Sequence, residues 1–259
     1  MPETPLNVDY PAADELHLQI ALGACRLSAR PGGEGEAWIS GVCHDPTGKR
    51  APRIAQEKGG TLRITEAEPS FERLPAVLGG VPRYELELGR RRPFALSIET
   101  GASEFEMDLG DVPLRSLLLR QGAGKFELDF SAPNPEPSMH LLEVSSGAAA
   151  IELKNLANAN FSEMRLSGGA AGYELDFGGV LSRDAQATLE AGLSGVEIRI
   201  PPSMAAKVVA ETTLGSVEVG EGFAKREGAY WTEAGAAGKE PLLTIRAGVR
   251  LGSLRLRAT

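Results

Sequence analysis

Aromatic residues are scarce in this chain: eight Phe, four Tyr and two Trp among 259 positions. Most fall at positions that read as core, which leaves little for a sugar-stacking groove. Histidine is scarcer still. His17, His44 and His140 are scattered and show none of the spacings that bring ligands onto one metal. His44-Asp45 beside Cys43 is the nearest approach to a Cys/His site, and it sits in a Pro- and Gly-containing loop without converging partners. Two cysteines, Cys25 and Cys43, are too few for a disulfide framework or a Cys-rich zinc site. Cys25 falls at an inward strand position and reads as a buried thiol. A Cys25–Cys43 bridge is the alternative outside the cytoplasm.

Long hydrophobic runs are missing too. No stretch approaches the roughly 18 apolar residues of a membrane span. The opening Met1-Pro2-Glu3-Thr4-Pro5 has neither the basic nor the apolar region of a signal peptide. The expectation is a chain in the cytoplasm without direct membrane insertion, or one associated with the envelope if it is a domain of a longer protein. Positive charge is short: 27 Lys and Arg stand against 35 Asp and Glu, a formal net charge of −8. That balance excludes nucleic acid as the main partner, because phosphate binding needs a concentrated basic surface. The one dense basic run, Arg90-Arg91-Arg92 with Arg83, reads as a solvated turn, with contact to an anionic surface as the alternative. No nucleophile elbow, P-loop or dinucleotide fingerprint occurs, and no cofactor is expected.

Glycine, by contrast, is abundant, with 31 residues. It recurs with a period. Gly101, Gly122, Gly147, Gly169 and Gly192 each open a segment whose first large residue is Phe105, Phe126, Ile151, Tyr173 or Val196, and Val217 ends a sixth copy. The spacings of these anchors are 21, 25, 22, 23 and 21 residues. Seven residues before each anchor stands Ile98, Leu119, Val144, Leu166, Leu189 or Ala210. Alternation on both sides of the glycine, as in Phe94, Leu96, Ile98 and then Phe105, Met107, Leu109, places one apolar row on one face.

A unit of 21–25 residues with two short strands cannot bury its own apolar row, whereas stacked copies can. The fold class read from this is all-β: a single-stranded parallel β-helix or solenoid forming one domain over 1–259. Residues 94–219 are its regular repeats. Residues 28–93, with Pro31-Gly32-Gly33, Pro46, Pro52, Gly59-Gly60 and Leu78-Gly79-Gly80-Val81-Pro82, read as irregular rungs with longer loops. Strands are expected there around Trp38–Val42 and Leu62–Ile64. Residues 220–241 read as an insertion forming a hairpin or covering an edge, and 242–259 as the terminal rung. At the N-terminus the template sets Leu18 seven before Cys25, and at the C-terminus Ala247 seven before Leu254. Small residues after the glycine (Ala102, Ala123, Ala148, Ala170) fit a tight corner.

One feature goes beyond architecture. Glu106, Glu127, Glu152, Glu174, Glu197 and Glu218 each follow an anchor and face outward, so stacking aligns six carboxylates. Asp108, Asp129 and Asp176 form a second, interrupted row with Lys154 and Arg199. Carboxylates about 5 Å apart in water repel by under roughly 1 kcal/mol. A solvated acidic face is therefore the plain reading. A strip binding cations or a basic partner surface is the functional one.

The repeat, with its L-x-V-x-x-G-A-x-x-x-x-E-L flavour, and the opening Leu16-His17-Leu18-Gln19-Ile20-Ala21-Leu22-Gly23-Ala24-Cys25-Arg26-Leu27 before Pro31-Gly32-Gly33 resemble the toastrack-type β-solenoid domains of bacteria. These include the soluble domains of Lia-type cell-envelope stress proteins and adhesin-like proteins. The resemblance covers essentially the whole chain and brings no catalytic motif. Many relatives carry transmembrane helices before this domain. The resemblance implies a non-catalytic interaction or scaffold module connected with envelope stress or surface functions. Its partner would be a protein or an extended polymer, and the chain a monomer or dimer. A self-assembling structural protein is the second reading, since solenoid ends are open, whereas Pro5, Pro11 and Arg250, Arg255 and Arg257 read as mild capping devices that favour a monomer or a closed dimer. A polysaccharide-acting β-helix enzyme is a distant third.

Overall fold

The computed structural model describes residues 2–33, 35, 37–48, 50–66, 80–135 and 139–259. Leu78 and Gly79 of the expected loop lie outside them. The described residues are almost entirely β and form one unclosed, mostly parallel array of sixteen strands. The period of the sequence appears as long strands stacked in register: β8 (Phe94–Asp108), β9 (Leu114–Asp129), β10 (Leu141–Lys154), β11 (Glu163–Asp176), β12 (Ala185–Ile200), β13 (Ala205–Val219) and β16 (Leu242–Ala258).

Each rung was expected to hold two short strands, but each is one strand bent in the middle. Pairing continues through the corner, as in Ala102↔Ala123 and Ala148↔Ala123. The first halves form one sheet and the second halves another, with the apolar row enclosed between them. Phe105, Phe126, Ile151, Tyr173 and Val196 are all buried, and each pairs with the anchor of the next rung. Phe105 and Phe126 meet edge to face, with ring centroids 5.3 Å apart.

Close approach explains the corner glycines. A Cβ on Gly147 would lie 2.4 Å from the Gly122 carbonyl oxygen, and one on Gly169 or Gly192 would lie 2.7 or 2.6 Å from the oxygen of the preceding corner glycine. Gly172, further along the same strand as Gly169, has nothing within 4 Å of that position. Gly147→Ala is therefore expected to cost about 1–3 kcal/mol through forced backbone shifts, and Gly172→Ala less than about 0.5 kcal/mol. Urea unfolding of the two variants separates them, and equal effects would contradict this packing of the corner.

The N-terminal rung is broken in two, β2 (His17–Leu22) in the first sheet and β3 (Cys25–Pro31) in the second. Its register corrects the template. Ile20 pairs with Ile98, and Leu27 pairs with Phe105, so Leu27 and not Cys25 is the anchor. A slip of two residues keeps every side chain on its face, so alternation alone could not detect it. Outside this rung lies another, split into β6 (Thr61–Glu66) and β7 (Arg83–Leu88). Beyond that the chain runs in reverse, with β4 (Ala37–His44) on β7 and β5 (Pro52–Gln56) on β6, both antiparallel. β1 (Glu3–Asp9) closes the second sheet by pairing antiparallel with β4. Strands β4 and β6 cover the two expected positions, while β1, β5 and β7 lie outside the 21–25-residue repeat.

The C-terminal end is rearranged as well. β16 does not stack last but inserts between β12 and β13. Residues 220–241 form the expected hairpin, β14 (Phe223–Arg226) and β15 (Ala229–Thr232), followed by the short helix α1 (Glu233–Ala236). β15 pairs with β13 only at Lys207 and Val208.

Candidate functional site

Strand order decides what becomes of the glutamate column. Glu106, Glu127, Glu152, Glu174 and Glu197 stand side by side on β8 to β12. The expected sixth member does not adjoin them. Arg255 of β16 pairs with Glu197 on one side and with Glu218 on the other, so a guanidinium interrupts the row. Six contiguous carboxylates thus become five, a cation, and one more.

The column is also heavily paired along its own rungs. Lys125 binds Glu127, and that bond lowers the Glu127 carboxyl below its usual range. Lys154 reaches Glu152 at 3.0 Å, and this pairing raises the lysine. Arg199 bridges Glu197 at 2.8 Å and Glu174 at 3.2 Å, and Arg255 holds Glu218 at 2.9 Å. Among the described residues Glu106 makes no ion pair. The second acidic row serves the turns. Asp108 accepts from Gly110 N and from the Ser131 hydroxyl, Asp129 from Asn155 Nδ2, and Asp176 from Gly178 N. No three His, Cys, Asp or Glu side chains converge as metal ligands among the described residues.

Where the N-terminal strands join the regular rungs, the outer face of the second sheet is concave. A groove of about 850 Å³ runs across β4, β7, β3, β8, β9 and β10. Its walls carry Glu85, Glu87, Glu106, Asp108, Glu127 and Asp129 against Arg30, Arg83 and Lys154, six carboxylates to three cations. Arg30 is tied to Glu87 and Arg83 to Glu85. Glu106 sits near the middle of this wall. Glu85 and Glu87 belong to β7, a strand the periodic pattern did not show. Their alternation in Arg83-Tyr84-Glu85-Leu86-Glu87-Leu88 was the available signal.

The other singled-out residues are structural. Arg90 donates to the Gly32 carbonyl and pairs with Asp111, Arg91 lies over the Tyr10 ring, and Arg92 donates to the carbonyls of Pro11 and Ala13. The basic run is therefore a clamp on the N-terminal segment rather than an open turn. Asp45 accepts from the backbone N–H groups of Thr47 and Arg50 and so fixes its own loop, while His44 contacts Glu3 and Glu85.

Cys25 and Cys43 are both buried and unbridged. Burial pushes the Cys25 thiol up to about 12 and raises Cys43 as well. The Tyr84 hydroxyl, buried beside Cys43, has no oxygen or nitrogen partner among the described residues. The folded state keeps the Cys25 proton, which the unfolded chain gives up from about pH 9. Stability from this group is thus full below pH 9 and drains away towards pH 12. A thiol reagent at pH 8 is expected to label neither cysteine until urea unfolds the chain. Rapid labelling of the native protein would contradict this environment.

The fold and the face together define the class: a bent, two-sheet parallel β-solenoid with a charged groove on its outer face. The chain belongs to the toast_rack family, since residues 2–141 match the family described as the N-terminal domain of toast_rack, DUF2154. In structure it is similar to a putative cell adhesion protein from Clostridium sporogenes, with a TM-score of 0.56 and 18% identity over 100% of this chain and 99% of the other. A putative adhesin from Bacteroides fragilis is also similar, with a TM-score of 0.47 and 10% identity over 98% and 97%. No curated protein sequence matches the chain. Among the described residues no helix is long and apolar enough to cross a membrane.

Proposed function

We propose that this protein is a non-catalytic interaction module, acting at or near the bacterial envelope, that receives a basic segment of a protein partner in the groove over β4, β7, β3, β8, β9 and β10. The excess of carboxylates along that groove, with Glu106 at its centre in no ion pair among the described residues, carries the reading. A rigid stack of strands holds these groups at fixed spacing, so binding a lysine-rich segment orders little of the protein itself. Charge complementarity sets both the sign of the partner and a strong salt dependence. Membership of the toast_rack family and the similarity in fold to a protein described as a cell adhesion protein agree with a binding rather than a catalytic role.

The test is a fluorescence titration with a labelled lysine-rich peptide and, separately, a sulfated polysaccharide. The peptide is expected to bind and the polysaccharide not, with affinity falling steeply between 50 and 200 mM salt, the range over which about 10 Å of screening sets in. Glu106→Lys is expected to weaken binding about five- to tenfold, roughly 1–1.4 kcal/mol. Peptide binding that ignores salt and Glu106→Lys, or a preference for the polysaccharide, would overturn the proposal.

A further inference from the structure

An array of strands has edges, and exposed edges are templates for pairing with another chain. Here the first sheet ends in β5 and β14, the second in β1 and β13. Three of these carry the usual obstacles. β5 is five residues long and contains Pro52 and Arg53. β14 is four residues long and contains Lys225 and Arg226. β1 has Pro5, which has no N–H to donate, in its interior and Glu3 and Asp9 at its ends.

β13 differs. Its inner side pairs with β16 throughout, but among the described residues its outer side pairs only at Lys207 and Val208. The remaining stretch, from Val209 to Val219, contains no proline, lysine or arginine. It is also where the corner changes character. The small corner residues Ala102, Ala123, Ala148 and Ala170 give way to Leu193, Leu251 and Leu214, paired neighbours on β12, β16 and β13. These three leucines are 58%, 45% and 65% exposed. Val217 and Val219, which should be core, are only partly buried against it. One end of the solenoid is blocked and the other is sticky.

We infer that the occupant of this edge is a second copy of the chain, paired antiparallel through β13 about a two-fold axis at the corner. The blocked β1 edge denies head-to-tail growth, so an open edge that meets only its own kind closes as an isologous pair. The residues support one register. Centring the axis between Thr213 and Leu214 sets Val217 opposite Ala210 on the core side, and Glu211 opposite Ser216 and Glu218 opposite Val209 on the outer side. A centre one residue further on, between Leu214 and Gly215, would set Glu211 against Glu218, a like-charge pair. β15 already occupies Val208, which bounds the new pairing at Val209. The leucines of both copies then meet around the axis, and Val217 gains the cover it lacks.

Sedimentation velocity from 1 to 200 µM is the test. The expected result is a species of twice 27.4 kDa that grows no further. Leu214→Lys is expected to give a monomer with an unchanged circular dichroism spectrum, while Ile54→Lys, at another exposed apolar position, leaves the dimer intact. Leu214→Cys is expected to yield a reducible covalent dimer on oxidation, the native cysteines being buried. A monomer at every concentration, open-ended growth, or a dimer indifferent to Leu214→Lys would each overturn the inference. The groove lies on other strands, so Glu106→Lys should leave the dimer untouched and the two proposals fail separately.

Discussion

Phe126→Ala is expected to destabilise the protein by about 3–5 kcal/mol, the cost of removing a fully buried aromatic side chain and leaving its cavity. Phe126 stands in the middle of the stack, with Phe105 edge to face on one side and Ile151 in register on the other. Neither neighbour can close the gap, because each is held at fixed strand spacing by its own backbone pairing. At the end of the same column Val217 is only partly buried. Measured at concentrations where the chain is monomeric, Val217→Ala should cost about 1 kcal/mol or less, close to the transfer of the groups removed. Urea unfolding of both variants gives the comparison. Similar costs at the two positions would mean that the anchors do not form one column with a closed middle and an open end.

Asn158→Ala should cost about 1–3 kcal/mol, although no apolar contact is lost. Asn158 is buried and spans two rungs: its Nδ2 donates to the Phe130 carbonyl at 2.9 Å, and its Oδ1 accepts from Val180 N at 2.9 Å. Alanine leaves the buried Phe130 carbonyl without a partner, at about 1–3 kcal/mol, while the N–H of exposed Val180 turns to water. Asn134 and Asn160 extend the arrangement. Asn134 donates to the carbonyls of Leu114 and Ala159, and Asn160 Nδ2 donates to the Asn134 carbonyl at 2.9 Å. These asparagines stitch together the turns that lead from one rung to the next. Exposed Asn7 offers a control, since Asn7→Ala should change stability by less than about 0.5 kcal/mol. A loss for Asn158→Ala as small as that for Asn7→Ala would show that the ladder does not bear on stability.

The regular rungs were legible because their physics is periodic. An anchor every 21–25 residues, a glycine where backbones nearly touch and alternation on either side all report the same stacked geometry. The order of stacking was not legible. Rungs β12, β13 and β16 are so alike that nothing in Val196, Val217 and Leu254 says which two are neighbours, and the hairpin of 220–241 lets the last strand return between its predecessors. The glutamates therefore stand side by side at five positions, and Arg255 separates the sixth from them. Cys25 took the place of Leu27 because a two-residue slip preserves the buried face. β7, Asn158 and the Arg90–Arg92 clamp escaped for a common reason: each is used once, at a seam or an end, where no repeat announces it. The leucines at the corner break the alanine pattern at Leu193 and Leu214, and that break was visible in the sequence.

The stacking order underlies the interrupted column, the open β13 edge and the corner leucines alike, and engineered disulfides test it directly. Adjacent strands lie about 4.8 Å apart, within reach of a disulfide, whereas strands two apart lie about 10 Å apart and beyond the roughly 7 Å limit. The pair Glu197→Cys with Arg255→Cys is expected to oxidise readily within one chain, and Glu197→Cys with Glu218→Cys to remain reduced. The reverse outcome would put β13 directly on β12, restore an unbroken glutamate column and remove the open edge described above.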